Sequence, residues 1–382
     1  MKIVKNGIDR IKEGGFLSYL SGKRIGLITN PTGVDSSLTS SIDILKGICD
    51  LKILFAPEHG VRGDLQAGVK MTNYTDSTTG LPVFSLYGGV YHIPKAILDT
   101  LDAVVFDIQD IGARFYTYMY TLSYAMEDCA EYDKEIIVLD RVNPIGGVSP
   151  EGTILDRRFS SFVGRFPTAT RHNMTIGEFA MYINQEEHIG CALTIIPIEG
   201  WEREMLFGDT SLSFISPSPN IPTSDTCLCY IGTCLAEGTN LSEGRGTTHP
   251  FEFVGAPYLD GRYIADAMNE MKLPGVLFRP CYFTPTFSKH QGVMCSGVQF
   301  HIIDKREFKP FEAGLRLIDL IKRTSPEFAF RDLKDPLGRM FIDKLLGTDV
   351  FRSEKFDVEV FLKDIESPLE AYKKKIKEYY LY

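Results

Sequence analysis

Continuous apolar runs alternate with helical patterns over the first 150 residues of the chain. Runs that are apolar throughout are typical of strands buried on both faces of a parallel sheet. The predicted strands are residues 24–29, 51–55, 82–86, 103–107 and 135–139. The predicted helices between them are residues 40–47, about 94–101 and about 118–132. This order predicts a parallel α/β sheet covered by helices.

The pattern changes near residues 145–150, and the rest of the chain is mixed in character. The predicted strands there are residues 192–197, 276–280 and 297–303. The predicted helices are residues 175–185, 260–272, 310–322 and 368–379. Because 382 residues exceed what one hydrophobic core usually fills, we expect two domains, residues 1–150 and residues 151–382.

The composition narrows the classes of function. The formal net charge is −9, whereas a nucleic-acid binder needs a basic surface. No apolar run is long enough to span a membrane. The first residues lack the apolar core of a signal peptide, so we expect a cytoplasmic protein, or one of the cell envelope or exterior if a leader was removed. Cys227, Cys229 and Cys234 lie in an apolar segment without paired Cys-x-x-Cys spacing, which predicts buried free thiols.

Polar side chains follow four of the predicted strands. They are Asn30, then Glu58 and His59, then Asp107, Gln109 and Asp110, and finally Asp140, Arg141 and Asn143. The carboxyl ends of parallel strands share one edge of a sheet, and ligands of open α/β sheets bind beyond that edge. We therefore expect these side chains to converge on one crevice.

Two segments at this edge carry candidate chemistry. Glu58, His59 and Arg62 lie in a sharp Pro- and Gly-bounded loop, a setting that favours function, although a turn with solvated charges has the same pattern. In segment 107–118, carboxylates could bind a divalent cation or a sugar hydroxyl, Arg114 a carboxylate, and Tyr116 a pyranose face. A strand cap before a buried aromatic helix explains that segment equally well. The ring of oxygen ligands that a metal needs is not evident, so we expect neither metal nor cofactor.

Two later loops add further candidates. Loop 237–252 is rich in glycine but lacks the Gly-Lys-Ser/Thr ending of a nucleotide loop, so we interpret Glu243, Arg245 and His249 as substrate contacts. Loop 216–222 is stiffened by prolines and could hold Asn220 toward the crevice. Either loop could also be purely structural. Neither a Gly-x-Ser-x-Gly elbow nor a dinucleotide-binding glycine motif is present.

Taken together, six stretches resemble the NamZ-type exo-β-N-acetylmuramidases, a family long described as a domain of unknown function (DUF1343). The stretches run in order over most of the chain, at residues 26–34, 55–63 (Phe-Ala-Pro-Glu-His-Gly-Val-Arg-Gly), 107–118, 138–147, 217–222 and 237–248. Val142 departs from the pattern, where a proline is expected. The resemblance implies a Rossmann-like parallel-sheet N-terminal domain, a smaller mixed α/β C-terminal domain and an active-site cleft between them. It also implies release of non-reducing terminal N-acetylmuramic acid from peptidoglycan fragments, with Glu58 as the catalytic carboxylate.

Glycosidic cleavage needs a proton donor and commonly a second carboxylate. Glu58 is the expected general acid, Glu243 and Asp110 are candidates for the second role, and the substrate's 2-acetamido group is a third route. An arginine would select the lactyl carboxylate of N-acetylmuramic acid. The available arginines are Arg62, Arg114, Arg141 and Arg245. The other expected substrate contacts are Asn30, His59, Tyr116, Asn143, Asn220 and His249.

Two alternatives stay open at this point. One is a metal-dependent hydrolase that uses Asp107 and Asp110. The other is a non-catalytic protein that binds cell-wall sugars in the same crevice. In each case the expected partners are peptidoglycan-derived saccharides, with no nucleic acid.

Overall fold

The computed structural model of the protein describes residues 2–63 and 73–382. Its strands are β1 (Arg24–Thr29), β2 (Asp50–Ala56), β3 (Tyr74–Thr75), β4 (Pro82–Ser85), β5 (Ala103–Asp107), β6 (Glu135–Leu139), β7 (Glu151–Ile154), β8 (Ala169–Arg171), β9 (Ala192–Ile196), β10 (Phe253–Ala256), β11 (Val276–Phe283) and β12 (Cys295–Ile302). Its helices are α1 (Gly7–Lys12), α2 (Ser41–Lys46), α3 (Lys95–Leu98), α4 (Tyr118–Glu131), α5 (Ile176–Glu186), α6 (Ser224–Thr233), α7 (Gly261–Glu270), α8 (Pro310–Thr324), α9 (Phe341–Leu346), α10 (Val358–Asp364) and α11 (Glu366–Ile376).

The central sheet is doubly wound. Within the described residues its strand order is β3-β4-β2-β1-β5-β6-β9, and every neighbouring pair is parallel except β3 with β4. Without β3, the strands follow the order 3-2-1-4-5-6 of Rossmann-type folds, with the reversal between β1 and β5. The prediction of a Rossmann-like parallel sheet is confirmed.

Side chains of the central strands alternate between two hydrophobic cores, one on each face of the sheet. In β5, Val104 and Phe106 pack on the face covered by α4 and α5, whereas Ala103 and Val105 pack on the face covered by α1 and α2. Because both faces are covered, the strand is apolar up to its last residue, Asp107. This is the physical reason for the continuous apolar runs in the sequence.

The C-terminal part has a smaller antiparallel sheet, in the order β10-β12-β11, packed with α7 and α8. Helices α6 and α8 approach closely, since a Cβ on Gly232 would lie 2.0 Å from the carbonyl oxygen of Pro310. Cys227 and Cys229 in α6 and the following Cys234 are buried free thiols, as predicted. No helix in the described ranges is both long and apolar enough to cross a membrane.

The central sheet extends past the expected domain boundary at residue 150. Strand β9 pairs in parallel with β6 along its whole length, so residues 192–196 belong to the first sheet. The chain terminus also returns to this sheet, where the Tyr382 hydroxyl donates to Asp140 Oδ2 at 2.8 Å. The change of pattern near residue 150 marks the short β7–β8 hairpin rather than the end of the sheet.

Candidate active site

Glu58 lies in a tight turn directly after β2. His59 and Gly60 both have positive φ, 73° and 81°. Positive φ is uncommon for a residue other than glycine, so the turn imposes the backbone conformation of His59. Gly63 packs this loop against the turn after β1, where an added Cβ would lie 2.5 Å from Cγ of Pro31. The loop is therefore held at the carboxyl edge of the sheet.

The carboxyl group of Glu58 is half-buried, and each of its oxygens accepts a hydrogen bond from a hydroxyl group. Tyr87 donates to Oε1 at 2.7 Å and Thr117 donates to Oε2 at 3.1 Å. The Tyr118 hydroxyl lies 3.3 Å from the Glu58 carbonyl oxygen and 2.6 Å from that of Pro217. Burial raises the pKa of Tyr118, so its hydroxyl remains a donor that joins the two loops.

A cleft of about 60 Å³ opens at Glu58. Its walls come from the loop after β2, the start of α4, the proline-rich loop, α6 and the glycine-rich loop. The lining residues are Glu58, His59, Phe115, Tyr116, Thr117, Tyr118, Ser218, Ile221, Tyr230, Arg245 and Phe251. Among these described residues Glu58 is the only carboxylate and Arg245 the only arginine. The structure thus brings together four of the expected site residues: Glu58, His59, Tyr116 and Arg245.

Buried polar atoms in and beside this cleft lack a hydrogen-bond partner among the described residues. The Tyr116 hydroxyl is buried next to that of Tyr118 but makes no hydrogen bond of good geometry with a described residue, and the same holds for Asn220 Nδ2. Asn30 lies against the Tyr118 hydroxyl, with its Oδ1 accepting from the Thr32 amide at 2.9 Å. A buried polar atom without a partner costs free energy, which a bound ligand would recover.

Arg245 belongs to a buried network of alternating charge. Its guanidinium lies 2.7 Å from Glu237 Oε1 and 3.3 Å from Glu243 Oε1, and Lys289 Nζ lies 2.8 Å from Glu243 Oε2. Burial opposes the charge on Arg245, but Glu237 and Glu243 raise its pKa above the ordinary value. Glu243, an expected second carboxylate, therefore supports Arg245 from outside the cleft lining.

Asp107 and Asp110, the carboxylates of the metal-dependent alternative, are each paired with a basic side chain. Asp107 is fully buried, and its two oxygens accept from Arg141 Nε at 2.6 Å and Nη2 at 2.9 Å. Asp110 Oδ2 lies 2.7 Å from the Gly112 amide and 3.0 Å from His172 Nε2, while Oδ1 has no partner in the described chain. In residues 2–63 and 73–382, no three His, Cys, Asp or Glu side chains are arranged to hold a metal ion.

Arg114 contacts backbone carbonyls within the fold, whereas a contact with the substrate was expected. It is fully buried, and its guanidinium donates to the carbonyl oxygens of Thr153, Thr168 (2.7 Å) and Leu345 (2.8 Å). Burial lowers its pKa to about 10. These bonds join the β7–β8 hairpin to α9, and they occupy both terminal nitrogens of the guanidinium.

Three further candidates also lie outside the cleft lining. Arg62 forms two hydrogen bonds with Asp76, at 3.0 and 2.9 Å. Asn143 bonds a backbone carbonyl at 3.0 Å and a backbone amide at 3.2 Å, which fixes the loop after β6. His249 Nδ1 lies 3.0 Å from Glu252 Oε2 and faces a separate cavity beside α6.

Sequence reasoning missed several residues around Glu58. Tyr87 follows β4 at the same sheet edge, so the strand-end signal that selected Glu58 was available for it as well. Thr117 immediately precedes α4, within a segment already singled out for its tyrosines. Tyr230 and Phe251 carried no signal, because both are apolar positions that come to the cleft only through tertiary packing.

Comparison with known proteins gives concordant results over the whole chain. Two family models match, described as exo-beta-N-acetylmuramidase NamZ, N-terminal (residues 25–225) and C-terminal (residues 228–382). A peptidoglycan beta-N-acetylmuramidase NamZ from Bacillus subtilis (strain 168) is 46% identical over 385 residues, which cover 99% of this chain and 91% of the relative. Two crystal structures of DUF1343 family proteins from Bacteroides fragilis superpose with TM-scores of 0.89 and 0.76, at 36% and 29% identity, with 99% of each chain covered.

Proposed function

Because the chain belongs to the NamZ family of exo-β-N-acetylmuramidases, we propose that it removes non-reducing terminal N-acetylmuramic acid from peptidoglycan fragments, with Glu58 at the centre of the reaction. The observation that carries the role of Glu58 is its position as the only carboxylate among the described residues that line the cleft. Hydrogen bonds from two hydroxyl groups hold its carboxyl group in one orientation.

Glu58 acts as the general acid in this proposal. It gives its proton to the leaving glycosidic oxygen as the bond from that oxygen to the anomeric carbon breaks. The 2-acetamido oxygen of the substrate attacks the anomeric carbon, since the described cleft supplies no second carboxylate. Glu58, now ionised, takes a proton from the water that opens this intermediate. Two displacements at one carbon give a product of retained configuration.

Arg245 is the proposed contact for the lactyl carboxylate. Of the four expected arginines it is the one that lines the cleft, and Glu237 and Glu243 hold its guanidinium in place. A planar guanidinium can bind a carboxylate through two parallel hydrogen bonds. N-Acetylglucosamine lacks this carboxylate and would leave the arginine without its partner.

The test is incubation of the full chain with a muramic acid–glucosamine disaccharide, followed by mass analysis of the products. We expect release of both monosaccharides, and proton NMR of the first product should show the β-anomer.

Glu58→Gln should abolish release of a chromogenic muramic acid glycoside and keep the wild-type melting temperature. Glu187→Gln, which alters a carboxylate paired with Arg157 on the surface, is the matched control. Full activity of Glu58→Gln would reject the assignment, and binding without turnover by the wild type would indicate a sugar-binding protein.

A further inference from the structure

The two hydroxyl groups that hold Glu58 come from different parts of the sheet edge. Tyr87 lies on the loop between β4 and α3, whereas Thr117 is the residue before α4. Their bonds of 2.7 and 3.1 Å reach separate oxygens of one carboxyl group. Together they fix both the rotation and the tilt of that group. Thr117 lines the cleft, whereas Tyr87 is not among the residues that line it.

A row of aromatic rings supports Tyr87. Its ring centroid lies 6.2 Å from that of Phe162, and Phe162 stacks on Tyr91 at 4.7 Å. Tyr91 stacks in turn on Tyr124 of α4 at 5.2 Å with an interplanar angle of 14°. The guanidinium of Arg165 covers the row at 3.8 Å from the Tyr124 centroid. The loop that carries Tyr87 is thereby anchored to a long, buried helix.

Two glycines directly after Tyr87 form a turn in the backbone. Gly88 and Gly89 follow it with φ of 78° and 103°. A Cβ on Gly89 would meet nothing within 4 Å, so the backbone conformation and not packing requires glycine there. The turn made by the two glycines brings Tyr87 and Tyr91 to the same Phe162 ring.

We propose that Tyr87 is a positioning residue for the reaction, which holds the Glu58 carboxyl group in its working orientation and stabilises the negative charge that develops on it as its proton leaves. The inference rests on the proposed function of Glu58. A hydrogen bond donated to a carboxylate stabilises the charged state. Among the described residues, the titratable or charged groups near Glu58 are His59 on its own loop, Tyr91 on the Tyr87 loop, Tyr116 and Tyr118 before and in α4, and Arg245 in the cleft lining. Of the tyrosines, Tyr87 is the one whose hydroxyl has a direct hydrogen bond to the Glu58 side chain.

The test compares Tyr87→Phe with Tyr91→Phe in the full chain. Kinetics on a chromogenic muramic acid glycoside are measured across acidic and neutral pH. For Tyr87→Phe we expect kcat to fall about tenfold to a hundredfold with little change in KM, as for loss of a hydrogen bond to a charged group. The alkaline limb of the pH–rate profile, on which the general acid loses its proton, should also move to higher pH. Tyr91→Phe, which loses a hydroxyl from the same loop and keeps its ring, should match the wild type in both respects.

A second substitution tests the aromatic support. Phe162→Leu should reduce kcat and move the same limb in the same direction as Tyr87→Phe, by a smaller amount. The proposal is overturned if Tyr87→Phe retains the wild-type kcat and limb, or if its activity falls only in proportion to its melting temperature with the limb unmoved. An inactive Glu58→Gln beside an unaltered Tyr87→Phe would keep the proposed function and reject this role for Tyr87.

Discussion

Glu58 and Asp107 occupy comparable positions on either side of β1, yet their surroundings are opposite. Glu58 follows β2, is half-buried, and accepts hydrogen bonds from neutral hydroxyls beside an open cleft. Asp107 ends β5, is fully buried, and binds Arg141 through both oxygens. Each satisfies the rule that ligand sites lie at the carboxyl edge of an α/β sheet. The partner of a strand-end acid, and not its place on the sheet, decides whether the acid is available for chemistry.

Two of the candidate arginines, Arg114 and Arg245, also differ in whether their partners leave them available to a ligand. Arg114 is fully buried and both terminal nitrogens of its guanidinium donate to backbone carbonyls, whereas Arg245 lines the cleft and is held by carboxylates. The first arrangement joins parts of the fold. The second presents a fixed cation to a ligand.

Breaking the Asp107–Arg141 ion pair should have the largest effect on stability. Asp107→Leu or Arg141→Met alone leaves one buried charge without its partner, which costs about 3–5 kcal/mol. Asp107→Leu combined with Arg141→Met should cost less than the sum of the single changes, because no buried charge remains. Urea unfolding followed by circular dichroism measures each variant. Glu58→Gln is the comparison and should stay within about 1 kcal/mol of the wild type. Additive costs in the double variant would contradict the assignment of a coupled pair.

Substitution of Arg245 should change the choice of substrate. With Arg245→Met we expect the ratio of kcat/KM for muramic acid over glucosamine glycosides to fall about tenfold to a hundredfold, the scale of a charge-assisted hydrogen bond. Arg245→Lys keeps the charge and loses the planar guanidinium, so its ratio should lie between those of the wild type and Arg245→Met. An equal loss on both glycosides would show that Arg245 does not contact the lactyl group.

Sequence patterns predicted the central sheet well because its strands are buried on both faces. Residues 103–107 and 135–139 were placed without error, since nothing but strand burial explains such short apolar runs between helices. Strands β7, β8 and β10 were missed. They are only three or four residues long, and β7 and β8 pair through a bulged register, so no periodicity marks them.

The candidate site was predicted only in part. The rule that ligands bind beyond the carboxyl ends of parallel strands placed Glu58 and His59 at the sheet edge where the cleft lies. It could not distinguish them from Asp107 and Asn143, because the partners of these side chains are set by tertiary packing. Arg141 reaches Asp107 from the next strand, and no spacing in the sequence indicates this contact.

Removal of the Tyr116 hydroxyl tests whether this group binds the substrate or stabilises the folded protein. Because the hydroxyl is buried without a good protein partner, Tyr116→Phe should leave the free energy of unfolding unchanged or slightly higher. If a sugar hydroxyl or acetamido group supplies the missing partner, kcat/KM should fall about tenfold. Steady-state kinetics and thermal unfolding of the same sample measure both quantities. A loss of stability without a loss of activity would place the hydroxyl in the core.

The smallest expected effect concerns Arg62, which shares a loop with Glu58 but is bound to Asp76. The hydrogen bond from Arg62 lowers the pKa of Asp76 from 3.8 to about 2. Since the folded-state pKa is the lower one, the stabilisation is present above the unfolded value and is lost as pH falls toward 2. Arg62→Met should therefore lower stability at neutral pH by about 0.5–1 kcal/mol, the range for a partly exposed pair, and the difference from the wild type should shrink in acid. Urea unfolding at a series of pH values measures this. A KM raised tenfold on muramic acid glycosides would instead assign Arg62 to the substrate, and so move it from the structural group of arginines to that of Arg245.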